Sequence, residues 1–267
     1  MDVQWNFTNW VKTLAMTVFA ARVGGLLLVG VLGVVHAAPS GPAAVNAQAV
    51  MHGSRIWPRI ALTFDADLTP HMAAELKSGV VVSFDDAHIR HYLEQQHLAA
   101  TFFLTGMWTE QYPTAARELA SSPLFELGNH SYSHPGFVSP CYSLAKLPKG
   151  DARAEILKSQ SAILKATGKT PRYFRFPGLC HNTALLETVA SLGLTSVDGD
   201  VLGEDGFQKN ASIVEKNVLS QVKNGAIIVL HCHGGPNAPA TFAALEQIVP
   251  VLRSRGFTFV TLSELLK

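Results

Sequence analysis

The sequence predicts an α/β domain in which about seven parallel strands close into a barrel with helices outside. Three observations predict it. Strand-like and helix-like segments alternate from residue 59 to the end, and successive parallel strands need a crossover, usually a helix, to return the chain. The chain has 267 residues with 48% hydrophobic and only 15% charged content, enough apolar side chain for a full core. Asp65, His130, Arg175, Asp200 and His231 each fall at or just beyond the end of a predicted strand, where barrel-type α/β proteins assemble their sites.

The N-terminus is different in kind. Lys12 and Arg22 precede an uncharged run, 23–35, which is followed by His36-Ala37-Ala38-Pro39. That layout is a secretory signal peptide over 1–37, with Val35 and Ala37 as acceptable small residues before a cut. The run is shorter than the roughly 20 residues of a stable span. The alternative, an uncleaved anchor over 11–35, is interrupted by Lys12 and Arg22. Either way the domain is expected to be exported, periplasmic or extracellular, touching a membrane only through this segment. Residues 38–55, rich in Ala, Pro, Gly and Ser, carry no apolar period and read as a linker or N-terminal arm.

The folded part is expected from residue 56 onward. Strand 59–64 is a well-bounded apolar run ending at Asp65, and helix 86–97 starts at Asp86, a natural N-cap. There follow strand 100–104, helix 114–120, strand 125–129, helix 151–166, strand 173–176, helix 183–192, strand 194–199 and helix 212–222. Strand 226–230 is apolar throughout and delivers His231 to the barrel mouth, before helix 239–255 and strand 257–261.

Charge excludes one function class. Lys plus Arg number 21 against 20 Asp plus Glu, and the export segment removes two of the former and one of the latter. A balanced surface offers no electrostatic reason to bind nucleic acid. The three cysteines, in an oxidising compartment, suggest one disulfide, Cys141 with Cys180, and a leftover Cys232. Three unpaired core residues are the alternative.

The chemistry concentrates in two stretches. His130 and His134 are spaced so that both rings can converge on one cation from a single turn or tight loop, and a carboxylate from a strand end would complete three ligands. Three protein ligands leave a position open for water, the arrangement of a hydrolytic metal site.

Five segments in order resemble the polysaccharide deacetylase family, carbohydrate esterase family 4. They are Thr63-Phe64-Asp65-Ala66-Asp67, His130-Ser131-Tyr132-Ser133-His134, Arg175-Phe176-Pro177, the Asp198-Gly199-Asp200 region, and Ile228-Val229-Leu230-His231. The resemblance covers residues 59–266. It implies a distorted (β/α) barrel and hydrolysis of N-acetyl groups on an acetylated amino-sugar polymer. It implies Asp65 as general base, oriented by Arg175, and Asp67, His130 and His134 as ligands of a divalent metal, Zn²⁺ before Co²⁺ or Ni²⁺. It implies His231 as the acid that protonates the departing amine, with Asp200 as its carboxylate partner, and Pro177 and Leu230 against the substrate, Leu230 walling the acetyl methyl group.

The chain departs from the family at two places. The second acid of the first motif is displaced from position 66 to Asp67, which on an extended strand faces the same side as Asp65. Asp85 or Asp86, in a second Phe-Asp-Asp at 84–86, is the alternative ligand. The fourth motif lacks the family's tryptophan and has Asp205-Gly206-Phe207 nearby. Elsewhere, His88, His91 and His97 read as a polar helix face, His233 as loop, and Trp108, Tyr112 and Phe137 as core side chains able to stack on sugar.

Overall fold

Residues 47–267 are described by the computed structural model. The predicted export segment 1–37 and residues 38–46 of the predicted linker lie outside the described residues. Among the described residues no helix is long and apolar enough to cross a membrane.

Eight strands of the described residues form the sheet: β1 (Arg59–Ala66), β2 (Ala100–Leu104), β3 (Phe125–Asn129), β4 (Tyr173–Phe174), β5 (Thr195–Ser196), β6 (Val201–Leu202), β7 (Ile227–His231) and β8 (Thr258–Phe259). Their pairings are all parallel. The order is β5-β4-β3-β2-β1-β7-β6, with β8 paired to the first two residues of β1. The ends, β5 and β6, are not bonded to each other, so the sheet curls into an open half-barrel. The seven predicted strands are all present, and β6 is the one the sequence does not announce.

The helices are α1 (Pro70–Ser78), α2 (Ala87–Gln95), α3 (Gly106–Gln111), α4 (Pro113–Ser121), α5 (Ala152–Thr167), α6 (Thr183–Ser191), α7 (Ala211–Gln221), α8 (Thr241–Ser254) and the short α9 (Leu262–Leu265). Side-chain caps start most of them. Thr69, Asp86, Thr105, Asn182 and Asn210 each accept a hydrogen bond from a first-turn N–H, satisfying a donor the helix cannot pair internally. Helix α1 is absent from the sequence expectation because it buries only Met72 and so shows little apolar period. Its signal lies in punctuation, Thr69-Pro70 at the start and Gly79 at φ 75° at the end.

Strand β1 organises everything else. It is buried over its last seven residues because strands flank both edges and helices cover it. The two-residue period then divides it. Ile60, Leu62, Phe64 and Ala66 join the main core with Leu93, Leu119 and Ile248 from the helices. Ala61 instead packs with Phe103, Val197 and Ile227 inside the barrel. Asp65 shares the parity of Ala61, and the register sets it beside Phe103 on β2 and His231 on β7.

The segment 47–55, expected as a linker or arm, is hydrogen-bonded to the domain. Val50 N–H donates to Ser196 O at 2.8 Å, Asp198 N–H returns to Val50 O at 2.9 Å, and Gly53 N–H reaches Gly225 O at 2.8 Å. The extended backbone of this segment supplies partners for the gap beside β5, which the composition of the stretch could not reveal. Cys141 is disulfide-bonded to Cys180, tying the long β3–α5 loop to the turn after β4, and Cys232 is a buried thiol.

Candidate active site

The residues at the C-terminal mouth of the barrel converge on one carboxylate. Asp67 sits just past β1, and its Oδ1 lies 3.4 Å from His130 Nε2 while its Oδ2 lies 3.4 Å from His134 Nε2. One ligand atom from each of the three falls within 4.8 Å of the others, and all three residues are buried. The β3–α5 loop brings the two rings together. His130 continues β3, and Ser131 and His134 then adopt left-handed backbone, φ 68° and 56°. Asn129 holds that turn, its Oδ1 accepting from Ser131 N–H and its Nδ2 donating to Ile156 O and Gln160 Oε1.

The set fits a divalent cation on its own chemistry. His130 Nδ1 is 2.9 Å from Arg175 O, a carbonyl that only accepts, so Nδ1 carries the proton and Nε2 presents its lone pair to the cluster. Burial pushes His134 down to about 4, which keeps it neutral and able to ligate. Burial on its own raises Asp67, but His134, His233, His231 and His130 around it outweigh that and hold the carboxyl below its ordinary range. Asp67 Oδ1 and His134 Nδ1 are buried without a hydrogen-bond partner among the described residues. Two imidazole nitrogens and one carboxylate oxygen, open to a cavity, match a three-ligand catalytic site.

Asp65 stands beside this cluster without joining it. Its Oδ1 accepts from Arg175 Nη1 at 2.7 Å, and its Oδ2 lies 3.6 Å from His130 Nε2. Arg175 is fully buried, donates from Nη2 to Asp198 O at 2.9 Å and from Nε to Val197 O at 3.3 Å, and lies 4.1 Å over the Phe103 ring. A guanidinium fixed from three directions offers Asp65 one orientation.

His231 also borders the cluster, with Nε2 3.8 Å from Asp67 Oδ2. Its partner corrects the sequence reading, because Asp205 rather than Asp200 holds it. Asp205 Oδ1 is 2.8 Å from His231 Nδ1, and Oδ2 accepts from the His231 backbone N–H at 2.8 Å and from Thr241 Oγ1 at 2.5 Å. Burial lowers the His231 imidazolium, but the Asp205 charge and hydrogen bond prevail and raise it to about 10. Asp200 precedes β6, and its side chain accepts from Ile227 N–H at 3.0 Å and pairs with Arg55. Ile227 begins β7 and His231 ends it, so Asp200 is roughly 13 Å from the mouth at about 3.3 Å per residue. The chain must traverse β6 before an acid can reach His231; Glu204 turns to Asn217, and Asp205 makes the contact.

Other expectations move too. Leu230 faces the helices in the main core, and Val229 lines the cavity in its stead. Pro177 is buried at the start of a 3-10 turn, Pro177–Leu179, whose Gly178 and Leu179 reach the cavity. Asp85 pairs with Arg90 at 2.7 Å, and Asp86 caps α2, so neither belongs to the cluster. His88, His91 and His97 are exposed. Trp108 donates to Phe84 O, Tyr112 accepts from Phe84 N–H, and Phe137 packs edge-on to Phe174 and Phe176, all three away from the mouth. His233, expected as loop, is buried with Nδ1 3.8 Å from Asp67 Oδ2. Its signal in the sequence is the two-residue spacing from His231.

The cavity over these groups measures about 1450 Å³ and runs between the β3–α5 loop and the turn at Asp205–Phe207.

Known proteins carry the same arrangement of chain. The family described as polysaccharide deacetylase matches residues 54–197. A peptidoglycan-N-acetylglucosamine deacetylase of Bacillus cereus is 28% identical over 200 residues, covering 72% of this chain and 69% of its own. The structure of a family 4 acetyl xylan esterase from Clostridium thermocellum, in complex with a cobalt ion, aligns with a TM-score of 0.60 at 30% identity, over 77% of this chain and 89% of that one. A carbohydrate esterase family 4 pseudoenzyme from Bacillus anthracis aligns with a TM-score of 0.68 at 21% identity, over 83% and 69%, and shows the shared fold. With its half-barrel and the family match over more than half its length, this chain belongs to the polysaccharide deacetylase family.

Proposed function

We propose that the chain is an exported, metal-dependent hydrolase that removes N-acetyl groups from an amino-sugar polymer such as peptidoglycan or a chitin-like glycan. The observation that carries this reading is that two separately anchored side chains, Asp65 and His231, border one ligand set. Asp65, fixed by Arg175, lies 3.6 Å from His130, and His231, fixed by Asp205, lies 3.8 Å from Asp67. Asp67, His130 and His134 would hold a zinc, cobalt or nickel ion, which when bound would supply Lewis-acid polarisation of the acetamide carbonyl and of water.

The chain's own groups handle the protons. Asp65 accepts one from the water that attacks the acetamide carbon, and Arg175 holds that carboxylate in one orientation. His231 delivers a proton to the nitrogen as the carbon–nitrogen bond breaks, so the products are acetate and a free amine. An amide nitrogen leaves poorly unless protonated, and the Asp205 contact keeps a proton on His231 through neutral pH. That favours an N-acetyl over an O-acetyl substrate. The family 4 acetyl xylan esterase similarity motivates the esterase reading as the second choice.

The test compares acetate release from peptidoglycan fragments, N-acetylchitooligosaccharides and acetyl xylan by one purified preparation. The proposal expects the two amides to lead. Release from xylan alone moves the chain to the esterases.

A further inference from the structure

The cavity mouth carries two large apolar rings that the proton chemistry does not use. Tyr142, in the β3–α5 loop, and Phe207, at the end of the turn Asp205–Phe207, are 67% and 69% exposed, and both line the cavity. Their centroids are 5.4 Å apart with 34° between the planes. Exposed aromatic faces in contact with each other, away from any core, mark a surface kept for a ligand.

Both rings are held in place. Tyr142 has φ 47°, a left-handed backbone that a bulky residue adopts only under constraint, and its neighbour Cys141 is disulfide-bonded to Cys180. Its ring lies on Gly178, where a Cβ would come within 3.0 Å of Tyr142 Cδ2, at a position with φ 61°. Phe207 follows Gly206, where a Cβ would sit 3.1 Å from His231 Cε1. The Phe207 ring therefore begins one residue from a contact with the imidazole that meets the leaving nitrogen, and Tyr142 lies against Phe207.

We propose that Tyr142 and Phe207 form a stacking platform for the pyranose ring next to the sugar being deacetylated, so that the enzyme selects a chain of at least two sugars over a monosaccharide. The inference rests on the glycan reading above. The departing nitrogen belongs to one sugar, and its neighbour along the polymer must extend past His231 across these rings. The C–H face of a pyranose is flat and apolar, and Leu144, Ala145 and Leu147 continue that character along the cavity wall.

The test measures binding by calorimetry of N-acetylchitotetraose and of N-acetylglucosamine to the metal-loaded Asp65→Asn chain, in which turnover is blocked. The tetramer is expected to bind about tenfold more tightly than the monomer. Tyr142→Ala or Phe207→Ala should each remove several-fold of that advantage, and together nearly all of it, with the monomer unaffected. Tyr142→Phe and Phe207→Tyr should restore it. Tetramer affinity indifferent to both alanines, or no tetramer binding, overturns the platform, as does equal loss for the monomer. Acetate release by the unmutated chain is read separately. If acetate is absent while tetramer affinity still follows the rings, the deacetylase reading fails and the platform stands.

Discussion

Asp205 accepts from both the side chain and the backbone of His231, each at 2.8 Å. The pairing raises His231 to about 10, and burial, which raises the Asp205 carboxyl, is outweighed by the same imidazolium. In Asp205→Asn the alkaline limb of the kcat profile should therefore move down from near 10 toward the ordinary imidazole value of about 6.5. The rate at pH 8 should fall by about 30-fold, because only about 3% of the imidazole would then carry its proton. A limb that stays in place removes His231 as the acid.

The same pair makes a stability prediction with a defined sign. His231 has a raised folded pKa, so its contribution is full below about 6.5 and is lost as pH rises through about 10. Asp205 has a lowered one, so its contribution is full above about 3.9 and is lost as pH falls through its folded value. The Tm gap between the wild type and Asp205→Asn should be widest between about pH 4 and 6.5 and should shrink toward pH 10. A gap independent of pH contradicts the ion pair.

Arg175 is fully buried, with Asp65 as its only acidic contact among the described residues. Arg175→Met should cost about 3–5 kcal/mol in denaturant unfolding, because it strands a carboxylate in the interior. Arg175→Met combined with Asp65→Asn should recover part of that loss, since no charge is then left unpaired. Equal costs for the single and double changes would mean that Arg175 acts through packing on Phe103 alone.

Ala66 points into the helix-facing core while Asp67 points to the cluster. Exchanging them, Ala66→Asp with Asp67→Ala, restores the family's adjacent acids in sequence and should destroy both metal binding and stability. The new carboxylate would lie among Phe64, Phe102 and Leu104 in the same core at a cost of several kcal/mol. Metal content near one per chain in the exchanged protein would show that the strand parity is not what places the ligand.

The parts of the site carried on long strands are legible in the sequence itself. Strand β1 announces itself by an apolar run that two neighbours and a helical layer demand, and period two then puts Asp65 and Asp67 on one side. His130 and His134 are legible by spacing, His231 by its strand end, and Arg175, which follows the two-residue β4, by the motif it opens. Asp205 is not, because it follows β6, a two-residue strand without a pattern of its own, and because its function depends on where that strand delivers the chain. Leu230 is misread through the same parity that serves Asp67. Its neighbour Val229 shares the inward face of His231, two positions away, and Leu230 does not. Tyr142 and Phe207 are exposed because of a disulfide, left-handed turns and glycine contacts, and these are matters of tertiary geometry.

Metal dependence of acetate release is the measurement closest to the centre of this account. The purified chain should hold about one divalent ion, lose it together with at least roughly 10²-fold of its activity on chelator treatment, and regain both with Zn²⁺, Co²⁺ or Ni²⁺. Asp65→Asn should keep the ion and lose the activity. Undiminished acetate release from protein shown to be free of metal would contradict the account.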